Sequence, residues 1–201
     1  RWGVTGHSSG GFGAIHLAMK HPGAFQAIAS HAGDLGFDLS YLSDLPKLVS
    51  AVDAHGGLEA FLEGFWRRRN HSGTDVAALM MLCVCCAYLP DPGAAPVPCR
   101  IPVDLDTGAV DFAMLQELCQ MDPIVRLSDP DQADALRALD LIFIDAGSRD
   151  EYNLHLGARR FIDGLSAVGI SYVHEEFVGG HRGMAWRYAV SLTHIAEVLS
   201  E

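Results

Sequence analysis

The run Gly6-His7-Ser8-Ser9-Gly10-Gly11 constrains this chain more than any other stretch. It reads G-x-S-x-G. Arg1 to Thr5 (RWGVT) precedes it as a short extended run, with Trp2 and Val4 on one face. Phe12 to His21, dense in Ala, Leu, Ile and Met, follows it and stops at Pro22-Gly23. The order predicts strand, sharp turn and helix. A turn this tight holds its central residue in a strained conformation and tolerates only small neighbours, which Gly6 and Gly10 supply on either flank. Gly11 would let the helix approach the sheet closely. The Ser8 hydroxyl would then stand above the strand ends, at a helix N-terminus that favours developing negative charge. The competing reading, a Gly-rich connecting turn, accounts for the composition but not for the strand and helix on either side.

Further along, Gln26–His31 (QAIASH) reads as the next strand, so the first thirty or so residues form one crossover unit and imply a parallel sheet. From Leu35 the character changes. Leu45–His55, Leu58–Arg69, Thr74–Tyr88 and Asp111–Met121 have helical patterns, and five of the nine prolines fall between Pro90 and Pro102. Leu139–Ala146 (LDLIFIDA) reads as a buried parallel strand by the continuous apolar run at its centre. A helix over Glu151–Val168, a strand over Ser171–Val178 and a closing helix over Gly183–Leu199 complete the pattern. The expectation is therefore an α/β fold of one overall domain. Residues 1–34 and 134–201 would form its core, and 35–133 a mainly helical insertion or cap.

Composition narrows the function classes. The formal charge of the 201 residues is -11, which argues against nucleic acid and anionic membrane as partners. Arg67-Arg68-Arg69 is too short a basic run to reverse this and reads as the solvated end of a helix. The five cysteines contain no C-x-x-C pair, and three cluster at Cys83, Cys85 and Cys86. Zinc-site spacing is absent, and the pattern fits reduced, buried thiols in a cytoplasmic setting. The longest apolar run, Ala77 to Leu89, is 13 residues, too short to span a bilayer.

A serine nucleophile needs a base, and the base needs a carboxylate on its other nitrogen. Of ten histidines, His181 combines a C-terminal position, a preceding strand and a Gly179-Gly180 approach. His155, His174 and His194 fall inside predicted elements, His31 comes too early, and the His7 side chain is expected to point away from the elbow tip. For the acid, Asp150 follows a strand end and precedes His181 by 31 residues, room for one helix and one strand. Asp34, Asp145 and Glu151 remain rivals. Asp145 lies inside the strand pattern and would need buried partners, and Glu151 is better placed to open a helix. The backbone N–H of Ser9 is the expected oxyanion donor.

With these residues assembled, GHSSGGFGAIHLAMKHPGAF resembles the elbow and helix of the esterase family that includes esterase D-like, feruloyl and enterochelin esterases. LIFIDAGSRDEYNLHLGARRF and HEEFVGGHRGMAWRY resemble its acid and histidine segments. The resemblance implies an α/β-hydrolase fold, hydrolysis of a small-molecule carboxylic ester through an acyl-enzyme, no cofactor or metal, and a triad of Ser8, Asp150 and His181. That family's sheet has strands ahead of the elbow, so a chain starting at the elbow strand is expected to be the C-terminal part of such a sheet, weak in activity and poorly soluble. An acyltransferase with the same triad and a catalytically silent hydrolase-like binding module are the alternatives.

Overall fold

The structure, a computed structural model, describes residues 1–200, which divide into two compact units, residues 1–40 with 122–200 and residues 41–121. In the first unit the chain runs β1 (Gly3–His7), α1 (Ser9–Lys20), β2 (Ala27–His31) and α2 (Phe37–Ser40). The second unit holds α3 (Leu45–Ala54), α4 (Leu58–Arg67), α5 (Gly73–Tyr88) and α6 (Phe112–Cys119). The chain then returns to the first unit with α7 (Pro123–Arg126), α8 (Pro130–Arg137), β3 (Leu141–Gly147), α9 (Leu154–Ala167), β4 (Val173–Phe177) and α10 (Arg187–Ser200).

The four strands form one sheet in the order β1-β2-β3-β4, every pair parallel. β2 and β3 are buried at every position, which explains why apolar residues dominate both; Ser30, His31 and Asp145 are the polar side chains buried with them. Alternation along the strands separates two cores. Ile28, Ile142, Ile144 and Ala146 face α1, α8 and α9, where Ile15, Met19, Leu136, Phe161 and Leu165 complete the main cluster. Ala27, Ala29, Leu141 and Phe143 face Ile195 of α10 on the other side. Burying a side chain as completely as Phe143 or Phe161 stabilises the fold by about 1.5–3 kcal/mol each.

The sequence reading of a parallel α/β sheet holds, with element ends that drift by a few residues. α9 starts at Leu154 rather than Glu151 because Asn153 takes a left-handed φ of 62°. α10 starts at Arg187 rather than Gly183, where a φ of 73° interrupts any helix. α7 and α8 were not anticipated. Each opens on an Asp-Pro pair whose aspartate caps the first turn (Asp122 to Ile124 N–H, Asp129 to Asp131 N–H). They pack in the first unit, whose second segment begins at Asp122.

The second unit is helical, with α3 packed on α4 and α5. Among its described residues no strand occurs, only isolated bridges between Pro90 and Cys99 and between Val103 and Val110. Ser72 and Asp75 form a capping box at the start of α5. Among the described residues no disulfide joins the cysteines, and not all are buried as expected: Cys83 is exposed, and Cys86 and Cys119 are half-buried. Burial pushes the thiols of Cys85 and Cys99 up to about 12. No helix of the described residues is long and apolar enough to cross a membrane.

Candidate active site

Ser8 sits between β1 and α1 with φ 59° and ψ -127°, a conformation that an L-residue holds only when its surroundings over-determine it. Three contacts do so. Ser8 N–H donates to the His31 carbonyl at 2.9 Å, extending the β1–β2 ladder. The Ser8 carbonyl accepts from the amides of Gly11 and Phe12 at 2.8 and 3.1 Å. A Cβ on Gly6 would lie 2.2 Å from the Gly10 carbonyl oxygen, so only glycine fits beneath the turn. Gly11 permits close helix–sheet packing, since its Cβ would meet Gly33 Cα at 2.8 Å and Ser30 Oγ at 2.9 Å. Gly10 does not act as expected: a Cβ there would meet nothing within 4 Å. The N–H of Ser9, the first residue of α1, is among the donors that a helix cannot satisfy internally.

The acid and histidine loops lie side by side at the ends of β3 and β4. Ser148 N–H donates to the Phe177 carbonyl at 2.8 Å and Arg149 N–H to the Gly179 carbonyl at 2.9 Å, so the β3–β4 pairing continues past the strands. Gly147 makes this possible, because a Cβ there would fall 2.4 Å from the Gly179 oxygen.

The structure brings Ser8, His181 and Asp150 into one hydrogen-bonded chain. His181 Nδ1 lies 2.8 Å from Asp150 Oδ2, and His181 Nε2 lies 3.0 Å from Ser8 Oγ. A carboxylate only accepts, so Nδ1 carries the proton and Nε2 is left to accept from the hydroxyl. The other Asp150 oxygen accepts from the amides of Tyr152 at 2.9 Å and Leu154 at 3.4 Å, which orients the carboxylate. Burial works against its ionisation, but His181 and these amides prevail and hold the carboxyl below its usual range. His181 and Asp150 are buried and Ser8 is half-buried.

The sequence rivals lie elsewhere or act otherwise. His155, His174 and His194 sit within α9, β4 and α10. Glu151 does not open α9; its Oε2 accepts from the backbone N–H of His181 at 2.7 Å. His7 does not point away from the site, as it was expected to. Its Nε2 lies 3.0 Å from the His181 carbonyl oxygen, and the two rings stand 4.6 Å apart between centroids. Asp145 is committed to a separate buried network. Its Oδ1 meets His31 Nδ1 at 2.7 Å and its Oδ2 accepts from Arg187 Nε at 2.6 Å. His31 Nε2 in turn meets Ser191 Oγ at 2.8 Å, and Arg187 also pairs with Glu175. Burial opposes the Arg187 charge, but the two carboxylates hold the guanidinium protonated, above its ordinary range. Asp34 lies just beyond β2, while the ring nitrogen it would need to hold is taken by Asp150. Among the described residues no group of three or more His, Cys, Asp or Glu side chains could hold a metal ion.

The parallel sheet with helices on both faces and a strand–turn–helix at Ser8 is the architecture of the α/β-hydrolases. Within that class, residues 2–80 match the family model described as Putative esterase, which bears out the esterase resemblance over those residues. No curated protein matches the chain. Among solved structures, a ferulic acid esterase aligns with 98% of this chain at 15% identity and a TM-score of 0.50. A mutant of esterase E22 aligns with 98% of it at 14% identity and a TM-score of 0.51. At such identities the likeness concerns the fold. The chain spans 51% and 60% of the lengths of these two structures.

Proposed function

We propose that this chain carries the reacting residues of a serine carboxylic-ester hydrolase. The observation that supports the reading best is the conjunction at Ser8. Its hydroxyl faces His181 Nε2 at 3.0 Å, and its backbone is held at φ 59° directly before the first turn of α1. In the proposed cycle the Ser8 Oγ attacks the ester carbonyl carbon while His181 Nε2 takes the hydroxyl proton. Asp150 keeps the ring in that tautomer and stabilises the imidazolium. The Ser9 N–H, with the dipole of α1 behind it, would donate to the oxyanion. His181 then returns the proton to the departing alkoxide, leaving an acyl-Ser8 ester. A water that loses its proton to the same nitrogen releases the acid and restores Ser8. The substrate class is a small-molecule carboxylic ester, and the clustering of Cys83, Cys85 and Cys86 in an apolar run supports a cytoplasmic setting.

The test is a pre-steady-state assay with a p-nitrophenyl ester. A burst of nitrophenol that approaches one equivalent and disappears in Ser8→Ala is expected. Acceleration of turnover by added alcohol, with transfer of the acyl group to it, would assign the chain to acyl transfer instead. No burst and no Ser8-dependent turnover would leave a binding module.

A further inference from the structure

His181 belongs to neither a strand nor a helix; it lies in the loop between β4 and α10 with glycines at positions 179, 180 and 183. A base on so free a backbone must be fixed by something other than a ladder of main-chain hydrogen bonds. Both of its own peptide groups are held by side chains. Its N–H donates to Glu151 Oε2 at 2.7 Å, and its carbonyl meets His7 Nε2 at 3.0 Å. A carbonyl only accepts, so His7 carries its proton on Nε2. The clamping residues come from two separate segments, the end of β1 (His7) and the acid loop (Glu151). The fit is close on both sides. The Glu151 carboxylate stands 3.0 Å from where a Cβ on Gly180 would project, and the His7 ring packs on the His181 ring. Tyr152 closes a third side with its ring edge-on at 4.8 Å.

We propose that His7 and Glu151 form a clamp on the backbone of His181 and are positioning residues for the base. The inference rests on the proposed roles of Ser8 and His181. The clamp acts on geometry, not on substrate, so its loss should lower kcat and leave KM nearly unchanged. Two pairs of variants separate hydrogen bonding from packing. His7→Phe keeps a ring and loses the donor, whereas His7→Gln keeps a donor near the position of Nε2. Glu151→Leu loses the acceptor, whereas Glu151→Gln keeps one. Misplacing a catalytic group by about 1 Å can cost on the order of 100-fold in rate. His7→Phe and Glu151→Leu are therefore expected to lower kcat on a p-nitrophenyl ester by about 10- to 100-fold. The two Gln variants should stay within a few-fold of the parent chain, with similar melting temperatures throughout.

A second readout needs no turnover: the downfield proton resonance of His181 Nδ1–H. It should be present in the parent and both Gln variants and broadened in His7→Phe and Glu151→Leu. Glu151 is exposed, so its variants remain informative if His7→Phe fails to fold. Parent-like kcat and an unchanged resonance in Glu151→Leu, with Ser8→Ala inactive, would overturn the clamp and leave the serine mechanism standing. Turnover that survives Ser8→Ala would overturn both.

Discussion

Ser8, His181 and Asp150 are linked at 3.0 and 2.8 Å; Ser191, His31 and Asp145 are linked at 2.8 and 2.7 Å. The same unit thus holds two serine–histidine–aspartate chains with nearly equal spacing, and distance alone does not distinguish them. Their surroundings do. Ser8 is half-buried, at a strained turn that leads into the N-terminus of α1. Ser191 lies in the interior of α10, wholly buried, as are His31 and Asp145. Ser191 follows the first turn of α10, where the amides of Arg187, Tyr188 and Ala189 are already bonded to the carbonyls of Met184, Ala185 and Trp186, and its own amide belongs to the helix ladder. The carboxylates differ as well. Among the described residues the Asp150 carboxylate bonds His181 and two backbone amides, whereas Asp145 is shared with the Arg187 guanidinium. The first arrangement suits proton transfer, and the second is a buried tie between the sheet and α10.

The comparison can be broken by mutation, beginning with the two aspartates. Asp150→Asn is expected to lower kcat by about 10³–10⁴-fold with little change in KM, because His181 loses its tautomer and orientation. Asp145→Asn should act on unfolding rather than on kcat per folded molecule. Steady-state kinetics on both variants would show the reverse if the second chain were the working one. Next in size is Arg187→Met. Removing one partner from a buried ion pair costs about 3–5 kcal/mol, and urea unfolding should report a loss of this order. Ser191→Ala should cost about 1–3 kcal/mol, the usual penalty of leaving a buried partner unsatisfied, and leave ester turnover unchanged.

The smallest effect is on pH dependence. Burial, and then the neighbouring His181, hold the His7 pKa below the ordinary histidine value of 6.5; burial, foremost, does the same for His16 and His174. A lowered folded-state value means that the unfolded chain takes up the proton first. Stability therefore rises with pH in this window and falls as pH drops below about 6.5. His7→Phe should flatten part of that slope between about pH 5 and 7, measured by urea unfolding at a series of pH values. An unchanged slope would remove His7 from the buried, neutral groups.

Much of the fold was legible because the signals were local. Leu141–Ile144 is a continuous apolar run, the signature of a strand buried on both faces. The elbow was legible because Gly6 and Gly11 sit where a Cβ would strike backbone. Asp145 was read correctly as a carboxylate needing partners, but Arg187 lies 42 residues away and is brought to it by the docking of α10. His7 was misread for a related reason. Its register pairing is with His31, and the loop that returns over it belongs to the far end of the chain. α7 and α8 are too short to establish a hydrophobic period, and only their Asp-Pro caps mark them in the sequence.

The central claim, that Ser8 rather than Ser191 is the nucleophile, has one direct measurement. The chain is treated with a fluorophosphonate, digested, and the adduct mapped by mass spectrometry, with Ser8→Ala and Ser191→Ala in parallel. The account predicts a single adduct on Ser8, absent from Ser8→Ala and undiminished in Ser191→Ala. An adduct on Ser191, or labelling that persists in Ser8→Ala, would contradict it.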